Sequence, residues 1–200
     1  MTGQFEPLPD GGAAVPLDEV EISILRSLAV QLLELVGPGT EPADGGGGDS
    51  DDLLASIFSD GPSEPPADPV LARLFPDAYG GPDLVPDDDV RAASAEFRRY
   101  TENDLRARKR EDALALIHAL DALGSGKGGA VLRLKPEECR QWLGGLNDLR
   151  LAIGTRLEVT DEDDGGELLR LPDSDPRKPM VLAYLWLGGL QETLVEALTG

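Results

Sequence analysis

The hydrophobic pattern along the chain predicts a mainly helical protein. Apolar residues recur at intervals of three and four over several long segments, which places them on one face of an α-helix. Start and stop signals of the usual kind bound these segments. We expect helices at about 18–36, 68–75, 86–123, 135–157 and 175–198, with a weaker one at 51–59. Together they predict an irregular bundle of five or six helices.

Three short segments predict a small antiparallel sheet beside the helices. Residues 4–8 and 13–17 flank the sequence Pro-Asp-Gly-Gly at 9–12, in which Asp-Gly favours the positive φ of a tight turn. Residues 130–134 resemble 13–17, because each apolar segment leads into a helix with acidic residues in its first turn. We therefore expect these two strands to pair in the same sheet.

The long helix predicted from Pro86 to Leu123 changes its apolar side partway along. The apolar residues of its first half share one side: Val90, Ala93, Phe97 and Tyr100. The apolar residues of its second half lie roughly opposite: Leu116, Ile117 and Leu120. In the first half, that opposite side carries basic residues instead: Arg91, Arg98, Arg99 and Lys109. The helix therefore either bends near residues 108–112 or crosses two different neighbours.

Glycine- and proline-rich segments separate the predicted helices. The chain has 24 glycines and 16 prolines, and they fall mostly in a few blocks. The segments 37–52, 60–66 and 161–166 cannot bury enough apolar surface to offset the entropy of ordering them. We expect flexible loops there, within a single domain over residues 1–200.

The net charge of −20 is unevenly distributed. Residues 1–90 carry −17, residues 91–156 carry +4, and residues 157–200 carry −7. The pattern favours an acid-rich, soluble protein whose arginines serve helix surfaces and internal pairs. The alternative is a basic surface for an acidic partner. Nucleic acid is disfavoured as that partner, because a strongly negative chain is repelled by phosphates.

The sequence indicates a reducing, cytoplasmic setting. Cys139 is the only cysteine, and it lies on the apolar side of a predicted helix, so no disulfide framework exists. Residues 1–12 lack the basic start and apolar run of a signal peptide. The longest nearly uninterrupted apolar stretch, 180–190, is too short to span a bilayer.

No motif for a cofactor, a metal or catalysis stands out. The spacing G-x-G-x-x-G at 124–129 follows a predicted helix rather than a strand, and no Ser or Thr follows Lys127. The acidic turn at 161–165 lacks the ligand pattern of a calcium loop. His118 has no partner at metal-ligand spacing. We therefore assign no cofactor, metal ligand or catalytic residue.

A polar set inside the helical apolar pattern forms the candidate site. Its members are Arg98, Arg99, Glu102, Trp142, Asn147, Asp148, Arg150 and Arg156. A guanidinium on a dry helix face requires a counter-ion. Our hypothesis is that Arg150 pairs with Glu102 or Glu96 and fixes the register of two helices. The alternative is a pocket, lined by these groups, for a small anionic ligand or a partner.

Four segments resemble an uncharacterised actinobacterial family, the domain of unknown function 2017. They are DPVLARLFPDAY (68–79), EFRRYTENDLR (96–106), WLGGLNDLRLAIGTRL (142–157) and YLWLGGLQETLV (184–195). The resemblance implies a cytoplasmic, mostly helical protein without an assigned activity, encoded near the protease adaptor ClpS. Some members carry a label as transcriptional regulators. The resemblance implies no catalytic residues.

We therefore expect a non-enzymatic regulatory or adaptor-type interaction protein linked to regulated proteolysis. Its expected partner is a protein, with ClpS or another proteolysis component as the candidate. One alternative is a transcriptional regulator that binds DNA through the basic face of the long helix. Another is an enzyme in which Glu102, Asn147 and Arg150 converge on a small anionic ligand. The sequence does not indicate the oligomeric state.

Overall fold

The computed structural model describes residues 3–37, 61–80, 87–123, 128–160, 168 and 170–200. These ranges contain a small sheet and five helices, which confirms the predicted mainly helical class with a small β element. In chain order they are β1 (Glu6–Pro7), β2 (Ala13–Leu17), α1 (Glu19–Val36), α2 (Pro69–Leu74), α3 (Asp88–Ala122), β3 (Ala130–Leu134), α4 (Pro136–Arg156) and α5 (Lys178–Thr199). None of these helices is both long enough and apolar enough to cross a membrane.

Several predicted segments lie outside the described residues. They are the helix at 51–59, the loop at 161–166, the loop at 37–52 beyond Gly37, and most of the glycine motif at 124–129. Residues 61–66, the described part of the remaining predicted loop, form neither helix nor strand.

The three strands form one antiparallel sheet in the order β1-β2-β3, as the sequence predicts. Ala13 lies opposite Leu134 and Leu17 lies opposite Ala130, so the central strand β2 pairs along its whole length with β3. The turn after β1 is closed by a hydrogen bond of 2.8 Å from the Leu8 amide to the Gly12 carbonyl. Gly11 supplies the positive φ, at 82°. Strand β2 leads into α1 and strand β3 leads into α4, so these two helices start from neighbouring strands of the sheet.

Acidic side chains fix where the helices begin. Asp18 accepts a hydrogen bond from the Glu21 amide at 2.8 Å, and Glu21 accepts one from the Asp18 amide at 2.9 Å, which is a capping box. Asp87 caps α3, which therefore begins at Asp88 rather than at Pro86. Asp175 accepts from the Arg177 amide at 2.9 Å and holds a turn, so α5 begins later than predicted, at Lys178.

The long helix α3 runs without interruption and packs against α1 on one side and α4 on the other. The α1 helix is antiparallel to it, since Arg26 pairs with Asp121 and the Val36 carbonyl accepts from Arg106. The α4 helix is also antiparallel to α3, and α5 is antiparallel to α4. As in the second of the two predicted alternatives, α3 packs against different neighbours, and it stays helical through residues 108–112.

The predicted inward side of the first half of α3 is wrong. Phe97 is 46% exposed and Tyr100 is 61% exposed, whereas Arg98 and Glu102 are only 5% and 2% exposed. The charged side is buried because its groups neutralise one another and hydrogen-bond to the chain after α2. Hydrophobic periodicity alone cannot anticipate such an internal pairing.

Two glycines allow α3 and α4 to approach closely. The space that a side chain would need at Gly144 is filled by the Asp112 carboxylate, and the space at Gly145 is filled by Leu116. A Cβ atom at Gly145 would lie 2.7 Å from Leu116 Cδ1, and both residues are buried. The core therefore has no room for a methyl group at this crossing.

We predict that Gly145→Ala lowers the free energy of unfolding by about 1–2 kcal/mol, since overpacking outweighs the gain in helix propensity. The matched control is Gly189→Ala on α5, where a Cβ atom would meet nothing within 4 Å. This variant should be neutral or slightly stabilising. Urea unfolding followed by circular dichroism measures both, and equal stability of the two variants would contradict the close crossing.

Candidate functional site

A buried carboxylate between two arginines lies at the centre of the first half of α3. Glu102 accepts a hydrogen bond from Arg98 Nη1 on one oxygen. Its other oxygen, Oε1, accepts from Arg106 Nη2 at 2.7 Å and from Nε at 3.0 Å. The three residues are spaced at i, i+4 and i+8 on one helix face. With Asp77, which also pairs with Arg98, they form what we call the Glu102 cluster.

Arg98 connects this cluster to the chain that follows α2. Its Nη2 donates to the Phe75 carbonyl and to Asp77 Oδ1, both at 2.9 Å. Burial opposes the charge on Arg98, but the hydrogen bonds to Asp77 and Glu102 outweigh it and raise its pKa above the usual value. Arg98 therefore stays charged and fixes the segment beyond α2 against α3.

Arg106 connects the same cluster to the end of α1. Its Nη1 donates to the Val36 carbonyl at 2.7 Å, and its guanidinium lies 4.3 Å from the centroid of the buried Phe75 ring. Arg110 donates to the next carbonyl, that of Gly37. Cations at the C-terminus of a helix interact favourably with its dipole and satisfy its last carbonyls. The Glu102 cluster thus joins the ends of α1 and α2 to α3.

A second ion pair joins α3 to α4. Lys109 Nζ lies 2.6 Å from Asp148 Oδ1, and Asp148 is buried. Burial raises the pKa of Asp148, and the hydrogen bond and charge of Lys109 oppose that shift. Asp148, rather than Arg150, therefore supplies the charged link that the sequence predicts between these two helices.

The hypothesis that Arg150 pairs with Glu102 or Glu96 is wrong. Arg150 Nη1 donates to Gln191 Oε1 on α5 at 2.7 Å, and its guanidinium lies 5.1 Å from the centroid of the Tyr184 ring. Two residues along a helix correspond to about 200° of rotation. Because Asp148 faces α3, Arg150 lies on the other side of α4, toward α5.

The remaining predicted residues lie apart from the Glu102 cluster. Arg99 contacts Glu96 and Tyr100 on the outer side of α3. Asn147 is exposed and lies 3.5 Å from the Gln191 amide, and Arg156 is exposed. Trp142 is buried in the core against Phe5. Of the predicted set, Arg98 and Glu102 contact each other, and Asp148 lies on the adjoining ion pair.

Sequence reasoning missed three charged residues of this region, Asp77, Arg106 and Lys109. The spacing of Arg98, Glu102 and Arg106 was the available signal for Arg106, because charges of alternating sign four residues apart pair on a helix. Asp77 is distant in sequence and carried no such signal. The charged groups of the cluster bind one another and backbone carbonyls, so the cluster fixes the ends of α1 and α2 against α3.

Exposed apolar residues lie beside the Glu102 cluster. We call them the Phe97 face: Tyr79, Phe97, Tyr100 and Leu105. The Tyr79 and Phe97 rings contact edge to face, with centroids 6.0 Å apart. A pocket of about 220 Å³ opens beneath Phe97 and Leu105 and reaches Arg98 and Glu102. The exposed aromatic side chains of this surface thus adjoin the buried ion pairs.

Cys139 lies in the core on α4. It is fully buried, and burial raises the pKa of its thiol. Since the thiolate is the reactive form, burial and the raised pKa both disfavour reaction at this sulfur. Among the described residues, no group of three or more His, Cys, Asp or Glu is placed to hold a metal ion.

These features define a mainly helical protein organised by buried ion pairs and carrying an exposed aromatic surface. The chain belongs to the family described as Domain of unknown function (DUF2017), whose profile matches residues 1–198. The family predicted from the four sequence segments is thereby confirmed.

Mycobacterial relatives of the chain have a descriptive name. The oxidative stress regulator AosR of Mycobacterium tuberculosis strain H37Rv is 32% identical over 188 residues, covering 90% of this chain and 79% of the relative. The protein of the same name from Mycobacterium bovis has the same identity and coverage. No solved structure matches the chain.

We predict that Glu102→Gln strongly destabilises the fold, because the variant leaves the buried Arg98 with Asp77 alone and removes the carboxylate that pairs with the partly buried Arg106. The expected loss is about 3–5 kcal/mol, the usual cost of removing one partner of a buried ion pair. Glu96→Gln is the matched control, since the exposed Glu96–Arg99 pair should contribute less than about 1 kcal/mol. Similar urea midpoints for the two variants would refute the role given to Glu102.

A pH-dependent prediction concerns Asp112 at the α3–α4 crossing. Burial is the largest cause that raises its pKa from 3.8 to about 6, with Asp148 and Glu111 adding to the shift and Arg108 and Lys109 opposing it. The folded chain therefore holds this proton more tightly than the unfolded chain. The resulting stability is present below the unfolded pKa and is lost as pH rises through the folded pKa.

Between about pH 5 and pH 7, wild type should therefore lose about 1 kcal/mol of stability relative to Asp112→Asn, after allowance for solvent screening. Urea unfolding at several pH values measures this difference. Asp104→Asn, an exposed position on the same helix, is the control. A difference between wild type and Asp112→Asn that does not change with pH would contradict the shift.

Proposed function

We propose that this chain is a regulatory protein that acts by binding another protein rather than by catalysing a reaction. The names of the mycobacterial relatives support a regulatory role in general terms. The internal pairing of the Glu102 cluster also favours this view, because its charged groups stabilise the fold and are not arranged around a reacting atom.

The observation that carries the proposal is the exposure of the Phe97 face. Aromatic residues are enriched at the centres of protein interfaces, and contiguous exposed apolar patches mark interaction sites. Phe97, Tyr100 and Leu105 project from a helix whose adjoining side is fixed by ion pairs. A rigid surface of this kind loses little conformational entropy when a partner binds.

The DNA-binding alternative receives less support from the position of the basic residues. Carboxylates and backbone carbonyls inside the fold already bind Arg98, Arg106 and Lys109. Phosphate contacts would require these side chains to leave their partners, and the net charge of −20 opposes the approach of DNA. We therefore favour a protein as the partner.

A response to oxidative stress, if this chain shares the role named for its relatives, would not begin at Cys139. Its buried thiol has a raised pKa and is therefore a poor nucleophile toward peroxide. We propose that this chain receives its signal through the partner that binds the Phe97 face. The protease adaptor ClpS remains the candidate that the family resemblance implies.

Site-specific photocrosslinking tests the proposal. A photoreactive phenylalanine analogue replaces Tyr100 in one copy of the chain and Val131 in another, since both positions are strongly exposed and Val131 lies outside α3, on β3. We expect a discrete protein adduct from position 100 in cells, and none from position 131. Purified ClpS is tested separately with the same two chains.

Phe97→Ser and Tyr100→Ser should then weaken binding of the captured protein at least tenfold, as expected for aromatic anchors, with little change in melting temperature. Glu192→Ser, an exposed change on α5, is the control. Equal crosslinking from both positions, or unchanged affinity of the two α3 variants, would contradict the proposal.

A further inference from the structure

A second candidate site lies where α2, the last turns of α4 and the first half of α5 meet. The cleft has a volume of about 570 Å³, which is within the range of small-molecule sites. We call it the Arg150 cleft. The polar groups along its wall are Arg73, Arg150, Thr155, Glu158, Thr160 and Tyr184.

Arg150 differs from the other internal arginines because no described carboxylate neutralises it. Arg98 and Arg106 each pair with Glu102 within the fold. The hydrogen-bond partner of Arg150 is instead the neutral amide oxygen of Gln191, and its Nε has no hydrogen-bond partner. A partly buried cation of this kind gains from an anion that reaches it.

The Arg150 side chain is nevertheless held in a defined position. Gln191 anchors one end of the guanidinium at 2.7 Å, and the Tyr184 ring lies 5.1 Å from its carbon atom. The guanidinium also lies against α5 at Gly188, where a Cβ atom would be 3.5 Å from it, in ordinary van der Waals contact. A preorganised cation binds an anion at a lower entropic cost than a mobile one.

Arg73 gives the cleft a second positive charge. It is exposed on α2 and forms no ion pair with a described residue. The two arginines outnumber the single carboxylate, Glu158, so the charged side chains along the cleft sum to a positive value although the chain as a whole is acidic. Leu151 and Val159 add an apolar wall beside the Tyr184 ring.

We infer that the Arg150 cleft binds a small organic anion. Its carboxylate or phosphate pairs with Arg150 and Arg73, and its apolar part lies against Tyr184, Leu151 and Val159. The ligand bridges α2, α4 and α5, so it acts as a small-molecule effector of the fold. This inference does not depend on the Phe97 face, which lies on α3 and the segment after α2.

An NMR titration of the full chain tests the inference. The probes are benzoate and phenyl phosphate at constant ionic strength, with neutral benzamide as the matched control for charge. We expect saturable shifts of the Arg150 Nε–H signal and of the Thr155 and Thr160 amides with at least one anion. The anion that binds more tightly shows whether the cleft prefers a carboxylate or a phosphate. Saturation by benzamide with equal affinity, or no saturable shift with either anion, would overturn the inference.

Variants separate specific binding from general charge effects. Arg150→Gln should weaken the better anion at least tenfold, as expected for loss of a desolvated charged contact. The Arg150→Gln change also removes a contact between α4 and α5. Arg73→Gln therefore provides a second test, because it leaves the packing of α4 against α5 intact. This second variant should weaken anion binding about threefold. Arg133→Gln, at an exposed position on β3, is the control and should bind as wild type does. Unchanged affinity in both cleft variants would overturn the assignment.

Discussion

The fold depends on the hydrogen bonds that Glu102 accepts from Arg98 and Arg106 inside the protein. Removing a carboxylate and two guanidinium groups from water is costly, and the arrangement is tolerable only because both carboxylate oxygens are used. The two arginines extend the constraint to the Phe75 and Val36 carbonyls. One buried negative charge thereby positions the ends of two helices against a third.

This constraint also determines which residues the protein presents to its surroundings. Since the charged side of the first half of α3 faces inward, its apolar side faces outward and forms the Phe97 face. The second half of α3 reverses this arrangement, with Leu116 and Leu120 buried in the core. A single continuous helix therefore serves as a core element at one end and as a candidate interaction surface at the other.

Local signals in the sequence were sufficient for the sheet, the start of α1 and the class of fold. The Asp18–Glu21 capping box and the pairing of β2 with β3 depend on neighbouring residues and on short repeated patterns. The buried side of α3 was harder to predict from the sequence, because hydrophobic periodicity assigns charged residues to the outside of a helix. The partner of Arg150 was missed for a geometric reason, since its rotation relative to Asp148 sends it toward α5.

A double-mutant cycle between Arg98 and Glu102 tests the central claim most directly. The unfolding free energies of Arg98→Met, Glu102→Leu and the double variant are compared with wild type. Two residues that stabilise the fold as one unit should show a coupling energy of at least about 2 kcal/mol, with the double variant less destabilised than the sum of the single variants. Additivity within about 0.5 kcal/mol would contradict the account, because it would mean that Arg98 and Glu102 act independently.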